Sequence, residues 1–215
     1  MKLAPLRKPG RANHTPGKRR GVWYTPPLLA AKIAWWARVG GARVVDLGAG
    51  RGALSVAALE AGALVVDAID VLPRNIRACT IAMRGRAGGR TWLGDVFSPQ
   101  LDDLRADVAL LNPPFEGDLP DRFIRRALHF APRAVAIVPV NTLCGAGRAE
   151  GLWAEVVQTR EARLARRPSF GGTGYGQRDI VVIELERRLG RARRPGDFDI
   201  VRTEYWPDRW NGEHV

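Results

Sequence analysis

Four consecutive residues, Asn112-Pro113-Pro114-Phe115, combine groups that suit chemistry on an aromatic amine. They follow the apolar run 107–111, which is typical of a buried strand and stops where two prolines cannot continue a β-ladder. Each proline holds φ near about −65°, so the turn is stiff before any ligand binds. The Asn112 amide oxygen and the Pro113 carbonyl can then face one point beside the Phe115 ring. This arrangement suits a planar heterocycle with an amino group; the alternative is a strand with a proline-rich exit loop.

A glycine-rich segment at 43–55 lies earlier in the chain, between a predicted strand and a predicted helix. Its candidate binding residues are Asp46, Gly48, Ala49, Gly50 and Gly52. Glycines let the backbone approach a ligand closely, and the start of the following helix presents free N–H groups. The spacing is GxGxG rather than the GxGxxG of nicotinamide-binding folds, and no GK[ST] follows. We therefore predict a ligand-binding loop, although this pattern alone is weakly specific.

Two further acids stand at the ends of predicted strands. Asp70 closes the run 63–70 at 24 residues after Asp46, close to the spacing at which a carboxylate binds a ribose diol. Asp95, in the predicted strand 91–97, is placed to meet an amino group of adenine. For each acid, the alternative is a helix cap or a salt bridge.

The alternation of these segments along the chain predicts an α/β fold. Helices are expected over about 26–38, with Thr25 as N-cap and Pro26 as first helical residue, and over 72–83, 119–131 and about 147–157. Strands are expected from residue 43 and over 63–70, 91–97, 107–111, 133–140, 160–166 and 179–186. Strand ends on one edge of such a sheet are where doubly wound folds bind ligands.

The net charge of +12 is concentrated in two flanking segments. Residues 1–20 carry seven Lys or Arg and no acid, and residues 187–194 carry five arginines. Clustered cations favour a polyanion through counterion release, whereas the alternative is a solubilising tail. Together with a base-sized site, they predict a nucleic-acid partner. The cations proposed to contact it are Lys18, Arg19, Arg20, Arg187 and Arg188.

Several classes of protein do not fit this sequence. No run of 18 apolar residues predicts a membrane span, and prolines interrupt an N-terminus without an apolar signal core, so we expect a cytoplasmic protein. Cys79 and Cys144 are isolated and are expected to be buried thiols, and the three scattered histidines predict no metal site.

Taken together, the motifs resemble the class I S-adenosylmethionine-dependent methyltransferases and, more narrowly, the small N6-adenine DNA methyltransferases of phages and prophages. Tyr24-Thr25-Pro26-Pro27 is similar to the family's segment at the methionine end of the cofactor, and Asp46-to-Gly52 to its cofactor loop. Asp70 is similar to its ribose acid, with Val71 beside it. Residues 94–97, which include Asp95 and Val96, are similar to the family's adenine-side motif. Asn112-to-Phe115 is similar to its catalytic motif. Arg167-to-Phe170 is similar to its late loop, which holds a flipped base.

The resemblance covers about residues 21–186 and implies a Rossmann-like α/β fold with a mostly parallel seven-stranded sheet and helices on both faces. It implies S-adenosyl-L-methionine as cofactor and the N6 amino group of adenine in DNA as acceptor. Residues 1–20 are then a basic flexible arm and 187–215 an Arg-rich tail, too short for a separate recognition domain. A monomer is the default expectation.

Three alternatives remain open from the residues. The first is methylation of RNA at adenine N6 or guanine N2, and the second is a non-catalytic nucleic-acid-binding protein on the same fold. The third is a glutamine methyltransferase, against which the basic segments argue. The Gly-rich segment 166–176 is either a lid over the site or a hairpin loop, and Trp206 and Trp210 either pack on the body or stack on bases.

Overall fold

The computed structural model describes residues 24–165, 167–168, 179–190 and 200–207. The helices are α1 Pro27–Trp36, α2 Ala53–Glu60, α3 Pro73–Ala82, α4 Leu119–Phe130, α5 Ala146–Glu150 and α6 Leu152–Glu155. The strands are β1 Arg43–Leu47, β2 Val65–Asp70, β3 Gly89–Leu93, β4 Val108–Leu111, β5 Arg133–Pro139, β6 Val156–Leu164, β7 Ile180–Arg187 and β8 Arg202–Trp206. Short 3-10 turns occupy Pro99–Leu101 and Val140–Leu143.

All eight strands form one sheet in the order β3-β2-β1-β4-β5-β7-β6-β8. Strands β1 to β5 are parallel, β7 is antiparallel to both neighbours, and β8 is parallel to β6. The prediction of a Rossmann-like, mostly parallel α/β sheet is therefore confirmed, but with eight strands instead of seven. The additional strand β8 lies in the segment that the sequence assigned to a tail.

Helices cover both faces of the sheet because successive strand residues point to opposite sides. Val44 packs into a buried cluster with α1 and α2, whereas the next residue, Val45, packs into a second cluster with α4. The residues of β4 alternate in the same way, with Val108 and Leu110 in the first cluster and Ala109 and Leu111 in the second. Both sides of β4 are therefore apolar, which explains why it reads as a continuous hydrophobic run.

The C-terminal end of α1 is fixed to the sheet by a buried carboxylate. Glu184 on β7 is 2% exposed and accepts from Arg133 at 3.0 Å and from Arg160 at 3.3 Å. The same two guanidinium groups donate to the last carbonyls of α1, those of Ala37 and Trp36, at 2.6 and 3.1 Å. Because Arg133 begins β5, this end of α1 lies at the start of the parallel strands, and the other end faces the strand ends that carry the predicted site.

The start of α1 differs from the prediction. Pro26 occupies the N-cap position and Pro27 is the first helical residue, with no side-chain cap. The Thr25 hydroxyl is not a cap because it accepts a hydrogen bond from Nδ2 of Asn112 at 3.1 Å.

Other differences are local. The helix expected over 147–157 is two short helices, because Gly151 between them has φ −99° and ψ −97°, outside the helical region. The third strand ends at Leu93, before the turn that contains Asp95. Cys79 is buried as expected, whereas Cys144 is exposed, so that prediction was wrong.

The segment after β7 returns to the body of the protein. Trp206 is 3% exposed and its ring meets that of Trp36 edge-on, with centroids 5.6 Å apart. Trp206 is therefore a core residue rather than a surface for bases, and Trp210 lies outside the described residues.

Candidate active site

Strand register brings the predicted site residues to one edge of the sheet. Leu47 pairs with Leu111 on one side and with Ile69 on the other. The residues that follow them, Gly48, Asn112 and Asp70, therefore emerge side by side where the three strands end. The glycine loop and the proline turn, more than 60 residues apart in the sequence, become neighbours.

The glycine loop is held across the ends of β1 and β2 by backbone hydrogen bonds. The amides of Gly48 and Ala49 both donate to the Ile69 carbonyl at 2.9 Å, and the Gly50 amide donates to Oδ2 of Asp70 at 2.9 Å. Gly50 has a φ of +56°, a backbone conformation that side chains other than glycine's rarely adopt. This loop can therefore pass close to a ligand without obstructing it.

Asp46 lies beneath this loop, with 1% of its surface exposed. Its Oδ2 accepts from the Ser55 hydroxyl at 2.6 Å, while Oδ1 is buried and, within the described part of the chain, has no hydrogen-bond partner. Burial raises the pKa of this carboxyl to about 7, helped by the nearby charge of Asp70. Because a buried acceptor without a hydrogen bond costs free energy, Oδ1 of Asp46 favours a ligand that donates a hydrogen bond to it.

Asp70 is buried at the end of β2 and is surrounded by donors. Besides the Gly50 amide, its carboxylate accepts from the Leu72 amide at 2.8 Å and from Nδ2 of Asn75, which is 3.1 Å from both oxygens. Several hydrogen bonds to the charged form stabilise a carboxylate. The acid predicted to bind a ribose thus lies at a strand end, as its place in the sequence indicated, and Val71 beside it is 54% exposed.

Tyr24 lies directly on the glycine loop. A Cβ atom placed on Gly50 would be 3.4 Å from Cδ1 of Tyr24, and the Arg51 guanidinium stacks on the Tyr24 ring at 4.2 Å from its centroid. The Tyr24 hydroxyl donates to Oδ1 of Asn75 at 3.3 Å. Sequence reasoning missed Asn75, for which the only signal was a polar residue in the first turn of the helix after Asp70.

The predicted adenine side is only partly open. Asp95 is exposed, and its Oδ1 accepts from the Phe97 amide at 3.0 Å, which is the turn role given above as the alternative. The side chain of Val96 is 4% exposed and packs in the core with α4, so only the backbone of this residue can meet a ligand.

The proline turn follows β4 directly. Asn112 is half-buried, and its Nδ2 donates to Thr25, which places Oδ1 on the opposite branch of the planar amide. That Oδ1 atom is buried. Pro113 is buried, Pro114 is exposed, and Phe115 is half-buried beside an open cavity.

The cavity beside Phe115 has a volume of about 380 Å³ and lies over the ends of β4 and β5. It is lined by Phe115, Glu116, Gly117, Pro120, Pro139, Asn141, Thr142 and Arg148. Arg148 fixes its wall, with Nε 3.0 Å from Asp121 on α4 and Nη1 donating to the Asn141 carbonyl at 3.0 Å. Apart from Phe115 the sequence identified none of these residues, because they come from three separate segments, 115–120, 139–142 and residue 148.

The arginines proposed to bind nucleic acid are not gathered at this edge. Arg167 forms an exposed ion pair with Asp179 at 2.7 Å. Arg187 and Arg188 lie near the start of β5, at the edge opposite Asn112, and donate to the carbonyls of Leu128 and Val156. This placement does not support a phosphate contact next to the site. Lys18, Arg19, Arg20 and Phe170, with most of 166–176, lie outside the described residues.

In the ranges that the structure describes, no three His, Cys, Asp or Glu side chains converge as a metal site would require. None of the helices in those ranges has the length and apolar character needed to cross a lipid bilayer.

Residues 30–135 match the family model of the methyltransferase small domain. Among solved structures, a candidate RNA methyltransferase from Pyrococcus horikoshii has 21% identity and a TM-score of 0.64, covering 81% of this chain and 92% of its own. A candidate class I S-adenosylmethionine-dependent methyltransferase from Listeria monocytogenes has 13% identity and a TM-score of 0.66, with coverages of 88% and 68%. The M protein of the type I restriction enzyme EcoKI has 15% identity and a TM-score of 0.62, with coverages of 78% and 44%.

No curated protein matched the sequence. The fold is the one these structures share, and the loop, acids and proline turn lie on it where register brings them together. Residues 30–135 thus match the methyltransferase small domain, the fold is a Rossmann-like methyltransferase fold, and the cofactor is S-adenosyl-L-methionine.

Proposed function

We propose that this protein transfers a methyl group from S-adenosyl-L-methionine to the N6 amino group of adenine in DNA. The observation that carries the proposal is the position of Asn112, which stands between the glycine loop and the cavity beside Phe115. A donor site and an acceptor site would thus meet near this carboxamide.

The residues around the glycine loop fit the cofactor. The loop leaves room for close backbone approach at Gly50, Asp70 presents a carboxylate suited to ribose hydroxyls, and the buried Oδ1 of Asp46 can accept from a ligand donor. When bound there, the cofactor supplies an electrophilic methyl group on a sulfonium.

The chain's own residues would prepare the amine. The lone pair of an aromatic amine is delocalised into its ring, so hydrogen bonds to Oδ1 of Asn112 and to the Pro113 carbonyl would orient the nitrogen for in-line attack. Asn112 has no useful pKa and acts by position alone, so the product proton leaves to water. Because Oδ1 of Asn112 is buried in the structure, neighbouring side chains must shift before the amine reaches it.

The cavity beside Phe115 would receive the target base. A base can enter only after leaving the duplex, and stacking on an aromatic ring repays ~1–3 kcal/mol of that cost. The side chains of Asn141 and Glu116 at its rim offer polar groups to the edge of the base. The resemblance of Asn112-to-Phe115 and Tyr24-to-Pro27 to N6-adenine DNA methyltransferases supports DNA adenine as the acceptor.

A second candidate is methylation of an amino group in RNA. The structural neighbour from Pyrococcus horikoshii is described as a candidate RNA methyltransferase, and the structural match covers 92% of that protein. The same carboxamide and cavity would serve adenine N6 or guanine N2.

Tritiated methyl transfer to duplex DNA, single-stranded DNA and RNA, followed by nucleoside identification, tests the proposal. We expect N6-methyladenine from DNA and a loss of about 10²-fold or more in kcat for Asn112→Ala, because the amine then lacks its orienting acceptor. Binding of S-adenosylhomocysteine to that variant should stay within about twofold of wild type.

Gln100→Ala is the matched control, since it truncates an exposed carboxamide in the 3-10 turn Pro99–Leu101, which contributes no residue to the predicted site. Methylated RNA without methylated DNA would favour the second candidate. Wild-type turnover by Asn112→Ala would contradict the mechanism for either substrate.

A further inference from the structure

Two sets of hydrogen bonds connect the cofactor side of the site to Asn112 through consecutive residues. Asn75 binds both the Asp70 carboxylate and the Tyr24 hydroxyl. Thr25, which follows Tyr24 in the sequence, accepts a hydrogen bond from Nδ2 of Asn112. A path of side chains therefore runs from the acid expected to hold the ribose to the carboxamide expected to hold the amine.

We propose that Asn75 is a positioning residue that couples cofactor binding at Asp70 to the orientation of the Asn112 carboxamide, through Tyr24 and Thr25. The catalytic meaning of this coupling rests on the function proposed above. The hydrogen-bonded path itself does not, and it can be tested without any acceptor substrate.

The chemistry of Asn75 suits this position. Its Nδ2 lies 3.1 Å from each oxygen of Asp70, and its Oδ1 is 3.3 Å from the Tyr24 hydroxyl, so both ends of one amide are engaged. The residue is 3% exposed, and a buried polar group that loses its partner costs free energy. An aspartate could not donate to Asp70 and would place a second carboxylate against it.

The connection from Tyr24 to Thr25 is stiff. The Tyr24 ring is held between the Arg51 guanidinium and Gly50 of the cofactor loop. Thr25 precedes Pro26, and a residue before proline is restricted to extended backbone. The backbone that joins Tyr24 to Thr25 therefore has few alternative conformations, which favours a coupled movement of the two residues.

The state of Asn112 gives this connection a role. Its Oδ1 is buried while its Nδ2 is bound to Thr25. The proposed reaction needs that oxygen at the amine, so the neighbours of Asn112, of which Thr25 is one, must shift when the site assembles. Binding of the cofactor at Asp70 changes the contacts of Asn75, and through them those of Tyr24 and Thr25. Coupling of this kind is reciprocal for binding free energies.

The test uses the full chain, S-adenosylhomocysteine as probe, and the variants Asn75→Ala and Tyr24→Phe. Calorimetry gives the affinity for the probe, and the side-chain amide resonance of Asn112, assigned by its loss in Asn112→Ala, reports on the carboxamide. In wild type we expect the probe to shift this resonance. In both variants we expect the shift to be largely lost and the affinity to fall by about 2- to 10-fold, as for loss of one or two hydrogen bonds.

Thr80→Val is the control on the same helix, because the Thr80 hydroxyl bonds to the Ile76 carbonyl and Thr91 away from the site. It should leave both readouts at wild-type values. If Asn75→Ala unfolds, Tyr24→Phe, which removes only one hydroxyl, decides the question.

The kinetic readout separates positioning from simple anchoring. If Asn75 only held Asp70, its variants would raise KM for the cofactor while leaving kcat at saturation unchanged. We expect kcat to fall as well. A wild-type resonance shift together with wild-type kcat in Tyr24→Phe would overturn the coupling. Absence of any methylated nucleoside would refute the proposed function but would leave the binding and resonance measurements to decide the path.

Discussion

At the scale of single residues, Asp46 has an unusual charge state. Its folded pKa is about 7 against an ordinary value of 3.8, and burial is the main cause. Between these two values the unfolded chain releases the proton while the folded chain keeps it, so stability falls as pH rises through this window. Above about pH 7 the loss is complete, at an order of magnitude of about 4 kcal/mol.

Replacement of Asp46 by Asn should remove this dependence. The free energy of unfolding of Asp46→Asn relative to wild type should rise by about 2–3 kcal/mol between pH 5 and pH 8, because the variant cannot ionise. Urea unfolding of the cofactor-free protein at both pH values measures the difference.

Asp103→Asn, at an exposed carboxyl, serves as the reference and should follow wild type at both pH values. Parallel stability curves for Asp46→Asn and wild type would show that the buried carboxyl is already ionised at pH 5.

Residue types and spacing were enough to predict that Asn112 and Asp70 stand at strand ends, since each closes or follows an apolar run. They could not identify Asn75, whose partner Tyr24 is 51 positions away in the sequence. They also predicted Thr25 as a helix N-cap. The preference of threonine for that position gives no information about the Asn112 side chain, 87 positions away, to which Thr25 is hydrogen-bonded. Both contacts depend on how distant segments pack together in the folded chain, which no local pattern encodes.

At the scale of elements, the packing of α2 against α3 depends on Gly52. This residue precedes α2 with a φ of +88°, and a Cβ atom there would lie 2.7 Å from Sγ and 3.2 Å from Cα of Cys79 on α3. The loop therefore requires glycine for both its backbone conformation and its contact with the neighbouring helix.

Gly52→Ala should destabilise the protein by about 1–3 kcal/mol more than Gly41→Ala, which adds the same atom at positive φ but into open space. The extra loss comes from the displacement of α3, and it should be accompanied by weaker binding of S-adenosylhomocysteine. Urea unfolding and calorimetry on both variants test this. Equal losses of stability in Gly52→Ala and Gly41→Ala would mean that α2 and α3 can separate at no cost in free energy.

Elements with clear periodicity were well predicted from sequence, whereas short or exposed ones were not. The helix at 119–131 agrees with α4 Leu119–Phe130, since its apolar residues recur on one face. Strand β8 was missed because only Trp206 among its residues is buried, so it lacks the alternation of a half-buried strand.

At the scale of the whole molecule, the net positive charge is concentrated in two segments near the ends of the sequence. Residues 1–20 hold seven of the cations, and the arginines at 187 and 188 lie at the sheet edge opposite the site. The N-terminal segment is thus the chief candidate for contact with the phosphate backbone, and it precedes Tyr24 in the chain.

Deletion of residues 1–20 should flatten the salt dependence of DNA binding. If most of the seven cations neutralise phosphates, the slope of log K against log salt should fall by several units, at about 0.9 per contact on a duplex. Binding titrations between about 50 and 200 mM salt measure it. A full-length variant with these residues changed to Gln separates charge from length, and an unchanged slope in both proteins would exclude the segment as a phosphate contact.

The anchoring of α1 by Glu184 limits how the start of this helix can move. The ten residues of α1 extend about 15 Å, so a rotation of about 4° around the anchored end displaces Pro27 by about 1 Å. A displacement of that size is enough to stretch the neighbouring Thr25 to Asn112 hydrogen bond beyond its useful range. The Asn112 carboxamide could then be released from Thr25 by a small rotation of α1 about its anchored C-terminal end, without rearrangement of a loop.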